Sequence, residues 1–96
     1  MASPLAVVTG ASRGIGRAIA LSLGSAGCRV VVNYAHNAKM AQEVADQINM
    51  EGKGAAFVMK TDCSDDVAVA EMFTEIKTEM GPVNILVIEQ THVTSD

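Results

Sequence analysis

The sequence predicts an α/β fold built on a parallel sheet, and three observations carry that prediction. Short apolar runs alternate with helically spaced apolar residues along most of the chain. A glycine-rich turn, Thr9-Gly10-Ala11-Ser12-Arg13-Gly14-Ile15-Gly16, joins the first apolar run directly to the first helical pattern. The resulting order is β-α-β-α-β-α-β, and strands separated by helices pair in parallel through right-handed crossovers. The expected spatial order is 3-2-1-4, half of a doubly wound sheet plus the strand at its switch point.

Leu5–Thr9 reads as the first buried strand. Ile15, Ala18, Ile19 and Leu23 then fall on one face of a helix that Gly27 stops. Arg29–Asn33 is a second strand, because the adjacent β-branched residues Val30, Val31 and Val32 disfavour a helix. Met40, Val44 and Ile48, spaced four apart, predict a helix over Ala38–Glu51 with Gly52 after it. Ala55–Met59 is a third strand, followed by the turn Thr61-Asp62-Cys63. Ser64 is placed to cap the next helix, with Asp65 and Asp66 in its first turn, where the helix dipole favours negative charge. Val69, Met72, Phe73, Ile76 and Met80 form that helix's apolar stripe, and Gly81-Pro82 ends it. Asn84–Ile88 is continuously apolar after its first residue, as expected of a strand buried on both faces. The domain expected from this pattern covers residues 1–88, and residues 89–96 read as an irregular polar tail.

Strand, glycine turn and helix in that order make a site for a dinucleotide pyrophosphate. A helix start carries unpaired N–H groups and partial positive charge, and glycines let phosphates approach without meeting a Cβ. The spacing is Gly-x-x-x-Gly-x-Gly through Gly10, Gly14 and Gly16, not the commoner Gly-x-Gly-x-x-Gly. The structural alternative is a tight strand-to-helix turn without a ligand. An NAD site places an acidic residue near the end of the second strand to hold the ribose 2′-OH. Here that stretch is Asn33-Tyr34-Ala35-His36 and holds no carboxylate, while Arg13 adds a cation to the phosphate loop. Both features favour a 2′-phosphate, hence NADP(H), with a solvated Arg13 as the alternative. Asp62 is a candidate acceptor for the adenine amino group, or else a turn and capping residue.

Composition bounds the rest. Ninety-six residues make one small domain at most, with a core of Val, Ile, Leu, Ala and Met, since only Tyr34, Phe57 and Phe73 are aromatic. A net charge of -4 and a pI near 5.0 give no field for nonspecific binding to nucleic acid or an acidic membrane. No apolar run approaches bilayer length, and Met1-Ala2-Ser3-Pro4 has neither a basic stretch nor a transit-peptide composition. The expectation from the sequence as written is a soluble, intracellular, cytoplasmic chain. Cys28 and Cys63 lie far apart and outside any Cys-x-x-Cys, so both read as buried free thiols. His36 and His92 have no partner at ligand spacing and read as solvated, and no metal site is expected.

Thr9-Gly10-x-x-x-Gly14-x-Gly16 resembles the cofactor motif of the short-chain dehydrogenase/reductase family. Asn84-Ile85-Leu86-Val87 is similar to the strand before that family's Asn-Asn-Ala-Gly motif. Within the family, the run Val8–Leu23, with Asn33-Tyr34-Ala35, Asp62 and Ser64, looks most like the plant-plastid type of 3-oxoacyl-[acyl-carrier-protein] reductase. The resemblance covers about residues 4 to 87 and implies a truncated Rossmann-type fold. It further implies NADPH-dependent reduction of a β-ketoacyl thioester in fatty-acid biosynthesis, and the plastid stroma as location. By the same resemblance, Ser12, Arg13, Ile15, Asn33, Tyr34, Asp62 and Cys63 line the NADP site beside the motif glycines.

Where the family has Asn-Asn-Ala-Gly, this chain reads Ile88-Glu89-Gln90-Thr91. The family's catalytic Asn, Ser and Tyr-x-x-x-Lys have no counterparts, because the single tyrosine, Tyr34, is followed at that spacing by Ala38. A tyrosine in that pair donates a proton to the developing alkoxide. The chain alone is therefore expected to perform no reduction, and a carrier-protein-linked substrate belongs to the full-length family. The alternative is a catalytically silent module that binds NADP(H), or pairs with a full-length reductase and regulates it. The apolar residues Ile85–Ile88 are expected to leave an open sheet edge, able to self-associate.

Overall fold

The computed structural model describes residues 3–88. Its elements run β1 (Leu5–Val8), α1 (Gly14–Ser25), β2 (Arg29–Tyr34), α2 (Ala38–Glu51), β3 (Ala55–Lys60), α3 (Asp66–Met80) and β4 (Ile85–Val87). The four strands form one parallel sheet in the order β3-β2-β1-β4, the topology expected from the alternating pattern. In the central register, Val7 of β1 sits between Val31 of β2 and Leu86 of β4.

Side chains alternate across a strand, so the valine-rich strands feed two cores at once. On one face Val8, Val30 and Val32 pack with Ala20 of α1 and with Ala41, Val44, Ala45 and Ile48 of α2. On the other, Leu5, Val7 and Val31 pack with Met72 and Ile76 of α3. Each fully buried Val, Leu or Ile contributes about 1.5–3 kcal/mol of transfer free energy, so both faces of β1 and β2 hold the sheet together. Asn84 fixes the entry of β4: its Oδ1 accepts from Leu5 N at 2.9 Å and its own N–H donates to Leu5 O at 2.9 Å.

Several expectations are corrected. The buried stripe of α1 is Gly16, Ala20 and Gly24, whereas Ile15 is 65% exposed and Ala18 is exposed. Helix α1 lies too close to its neighbours for large residues on that face. An ideal Cβ at Gly24 would come within 2.6 Å of Ile48 Cγ2. The N-cap of α3 is Asp65, not Ser64; its side chain accepts from Val67 N at 3.0 Å and Ala68 N at 3.2 Å. The Ser64 hydroxyl instead donates to Asp62 Oδ1 at 2.6 Å. Strand β4 is not buried on both faces, since Leu86 is 48% exposed and neither Ile85 nor Val87 is fully buried. It lies at the sheet edge, where no further strand adjoins it among the described residues. Cys28 is buried as expected, but Cys63 is exposed. Strand limits shift by a residue at several ends; β2, for instance, extends to Tyr34. The expected polar tail and His92 lie outside the described residues. No helix among the described residues is long and apolar enough to cross a membrane.

Candidate functional site

The parallel sheet directs every strand's carboxyl end to one rim, and the glycine turn leaves β1 there, between β2 and β4. Thr9 N donates to Val87 O at 3.0 Å on the β4 side. On the β2 side, Ala11 N donates to Asn33 O at 2.9 Å and Gly10 N to Asn33 Oδ1 at 3.3 Å. Both walls of the crevice are thus fastened to the turn.

Each motif glycine answers a different requirement. Gly10 and Gly14 adopt φ of 59° and 64°, the left-handed region that L side chains rarely enter. Space beside Gly14 is open, whereas a Cβ at Gly16 would overlap the Gly10 carbonyl oxygen. Gly16 therefore lets the start of α1 close onto the turn that precedes it.

The three helix starts differ in one respect. Asn37 Oδ1 caps α2 by accepting from Met40 N at 3.0 Å, and Asp65 caps α3. Helix α1 has Arg13 at its N-cap position in extended geometry, with no side-chain cap hydrogen bond and no acidic residue in its first turn. Its leading amides and dipole stay available to an external anion. No cluster of three or more His, Cys, Asp or Glu able to hold a metal occurs among the described residues.

Beside this helix start lies a polar groove of about 330 Å³, lined by Gly10, Ser12 and Arg13 on one side and Ala35, His36 and Asn37 on the other. The structure brings Ser12 and Arg13 into it. Ile15 is exposed on the first turn of α1, and half-buried Tyr34 ends β2, where its carbonyl accepts from Thr61 N at 2.9 Å. Asn33 is placed differently: it is buried, and its amide nitrogen donates to Met59 O at 3.3 Å and Thr61 O at 3.4 Å while Oδ1 faces Gly10 N. Its visible task is to tie the ends of β2 and β3 to the glycine turn.

Asp62 forms a turn of its own, with Oδ1 accepting from Ser64 N at 2.9 Å as well as from the Ser64 hydroxyl. The Ser64 hydroxyl bond, then the Ser64 amide, hold this carboxyl below its ordinary value, and His36 adds a weaker electrostatic pull. The turn role foreseen for Asp62 is therefore occupied through Oδ1. The Cys63 thiol meets Asn33 Oδ1 at 3.5 Å; desolvation there, and then the Asp62 charge, push its pKa up and keep it protonated at neutral pH. Sequence reading assigned nothing to His36, yet it stands across the groove from Arg13. Its position two residues after the end of β2 is the signal that locates it.

Fold and site together define a parallel α/β dinucleotide-binding unit, with the ligand crevice at a topological switch point. The family model for short chain dehydrogenase matches residues 4–92, and the chain belongs to the short-chain dehydrogenase/reductase family. It is 49% identical over 83 residues to YgfF, an uncharacterized oxidoreductase of Escherichia coli (strain K12), covering 86% of this chain and 33% of that protein. A solved metagenomic short-chain oxidoreductase in complex with NADP superposes with a TM-score of 0.81 at 41% identity, over 86% of this chain and 37% of the other. The landomycin C-6 ketoreductase LanV, solved with bound NADP and rabelomycin, gives 0.76 at 44% identity, over 86% and 36%. The chain spans about a third of the length of the relatives it matches. Both of these solved relatives carry NADP on the same fold.

Proposed function

We propose that this chain is the cofactor-binding part of an NADPH-dependent carbonyl reductase. The observation that carries the reading is the uncapped, glycine-fronted start of α1, beside a groove holding Arg13 and no carboxylate. The first-turn amides of α1 bind the pyrophosphate. Arg13 pairs with the 2′-phosphate through charge-assisted hydrogen bonds, worth about 1.5–3 kcal/mol. Gly14 leaves the open space that a phosphate needs. The bound cofactor supplies hydride to a carbonyl carbon; this chain's residues bind and orient it.

The resemblance of Val8–Leu23, Asn33-Tyr34-Ala35, Asp62 and Ser64 to the plant-plastid type of 3-oxoacyl-[acyl-carrier-protein] reductase implies a 3-oxoacyl thioester on acyl-carrier protein as the substrate class of the full-length enzyme, in a plastid setting. The ketoreductase name of one matched structure supports carbonyl reduction as the reaction class. A second reading, a catalytically silent NADP(H)-binding partner of a full-length reductase, is favoured by Tyr34, the chain's single tyrosine, standing at the cofactor end of β2.

Fluorescence titration with NADPH tests the cofactor assignment. A saturable change is expected, and Arg13→Ala should weaken NADPH about tenfold or more while leaving NADH nearly unchanged. No saturable change up to millimolar NADPH would overturn it. In the same preparation, no NADPH oxidation with an acetoacetyl thioester is expected; clear turnover would place a proton donor within this chain.

A further inference from the structure

We propose that Asn49 closes the β3 edge of the sheet to strand addition, its side-chain amide standing in for the peptide of a further strand. A second copy of this chain is thereby kept from pairing at β3. The inference is independent of the cofactor reading. Strand β3 is the outer strand on the side of the sheet opposite β4. Its odd-numbered residues turn inward: Ala55 N donates to Cys28 O at 3.2 Å and Thr61 N donates to Tyr34 O at 2.9 Å. Peptide groups alternate in direction along a strand, so Ala56, Val58 and Lys60 aim their N–H and C=O away from β2. An edge six residues long, with Phe57 40% exposed beside it, is a template for another chain.

Asn49 fills the first of these outward positions. Its Oδ1 accepts from Ala56 N at 2.9 Å and its Nδ2 donates to Ala56 O at 3.2 Å. An antiparallel neighbour strand would offer Ala56 the same reciprocal pair of bonds. The placement follows from the turn between helix and strand. Gly52 ends α2 at a φ of 78°, and a Cβ at Gly54 would overlap the Cys28 carbonyl oxygen. The chain therefore doubles back tightly and lays the last turn of α2 beside the start of β3. At the far end, Thr61 Oγ1 donates to Lys60 O at 2.7 Å. Of the three outward residues, only Val58 has both peptide groups clear of a side-chain bond among the described residues. Strand addition proceeds through alternate residues, and here the first is filled and the last half-filled. Removing the Asn49 amide frees the donor and acceptor of Ala56 in line with those of Val58. The β3 strand of a second copy, running antiparallel, then satisfies both. Alanine favours a helix more than asparagine does, so α2 keeps its last turn in Asn49→Ala.

The test uses the 96-residue chain carrying Leu86→Lys and Ile88→Lys, which charge the exposed β4 edge and leave β3 as the edge that varies. Sedimentation velocity compares this parent with Asn49→Ala. The variant should associate at concentrations about tenfold lower or more, because pairing satisfies freed peptide groups on both copies. Adding Val58→Pro removes an outward N–H without touching a bond to β2, and should return Asn49→Ala to the behaviour of the parent. Hydrogen exchange on the parent gives a second readout. Its Ala56 amide should exchange at least about tenfold more slowly than that of Val58, and Asn49→Ala should abolish the difference. An Asn49→Ala chain that associates no more than its parent would overturn the inference, as would association that Val58→Pro leaves unchanged. Equal exchange at Ala56 and Val58 in the parent would overturn it too, even where a variant fails to fold.

Discussion

Gly16 concentrates the conflict between packing and ligand access into one position. It is buried, and any side chain there runs into the backbone carbonyl of Gly10, an atom that cannot rotate away. Gly16→Ala must push α1 from the turn. Overpacking of this kind costs about 1–3 kcal/mol, and the displaced amides should weaken NADPH binding more than tenfold. Urea unfolding and the fluorescence titration measure the two effects separately; wild-type affinity in Gly16→Ala would show that the close approach does not position the amides. Gly14 is a different case: the space beside it is open, so a substitution there meets backbone strain from its positive φ and no clash. The glycine spacing was legible because each of these demands excludes a Cβ. His36 was not, because an isolated histidine looks the same on a solvated loop as it does facing a groove; only the folded approach of the β1–α1 and β2–α2 loops sets it opposite Arg13.

Helix by helix, the sequence announced where elements lie more clearly than how they face. Helix α2 has the limits expected and buries Val44 and Ile48 as expected, but Ala41 and Ala45 complete its buried face while Met40 is only half-buried. Helix α1 misled for a physical reason. Large apolar residues usually mark the buried face, but a helix pressed against both a sheet and a second helix buries its small residues and turns Ile15 outward. The start of α3 offered two adjacent residues able to cap, and the choice fell to Asp65 because Asp62 captures the Ser64 hydroxyl. Asp65 satisfies two first-turn amides of α3, so Asp65→Ala should lower stability by about 1 kcal/mol, with Ser64→Ala costing less at that helix start. Chemical denaturation followed by circular dichroism would read both; a larger loss for Ser64→Ala would reverse the assignment of the cap.

Across the whole molecule, the sheet is unequally protected, and the inequality follows from its order. Strands β1 and β2 are interior and buried on both faces, while β4 stands at one edge with Leu86 48% and Ile88 64% exposed. Beneath them, Leu86 and Ile88 join Thr9, Cys63, Val69, Met72 and Phe73 around an apolar hollow of about 120 Å³. The topology was readable from alternating periods, because parallel pairing with right-handed crossovers leaves few arrangements for this string of elements. The exposure of β4 was not readable from its composition, since an apolar run looks the same whether its second face is covered or bare. Unpaired strand edges bearing exposed apolar residues recruit further strands. The 96-residue chain is accordingly expected to associate as its concentration rises, and Leu86→Lys with Ile88→Lys should shift it toward the monomer by placing charge along that edge. Neither residue is fully buried, so the pair should retain the circular dichroism of the parent and its NADPH titration. Sedimentation velocity across a concentration series measures the outcome. An unchanged distribution of species in the double variant would move the association surface away from β4, and a wild-type chain that stays monomeric at every concentration would remove the edge as a contact altogether.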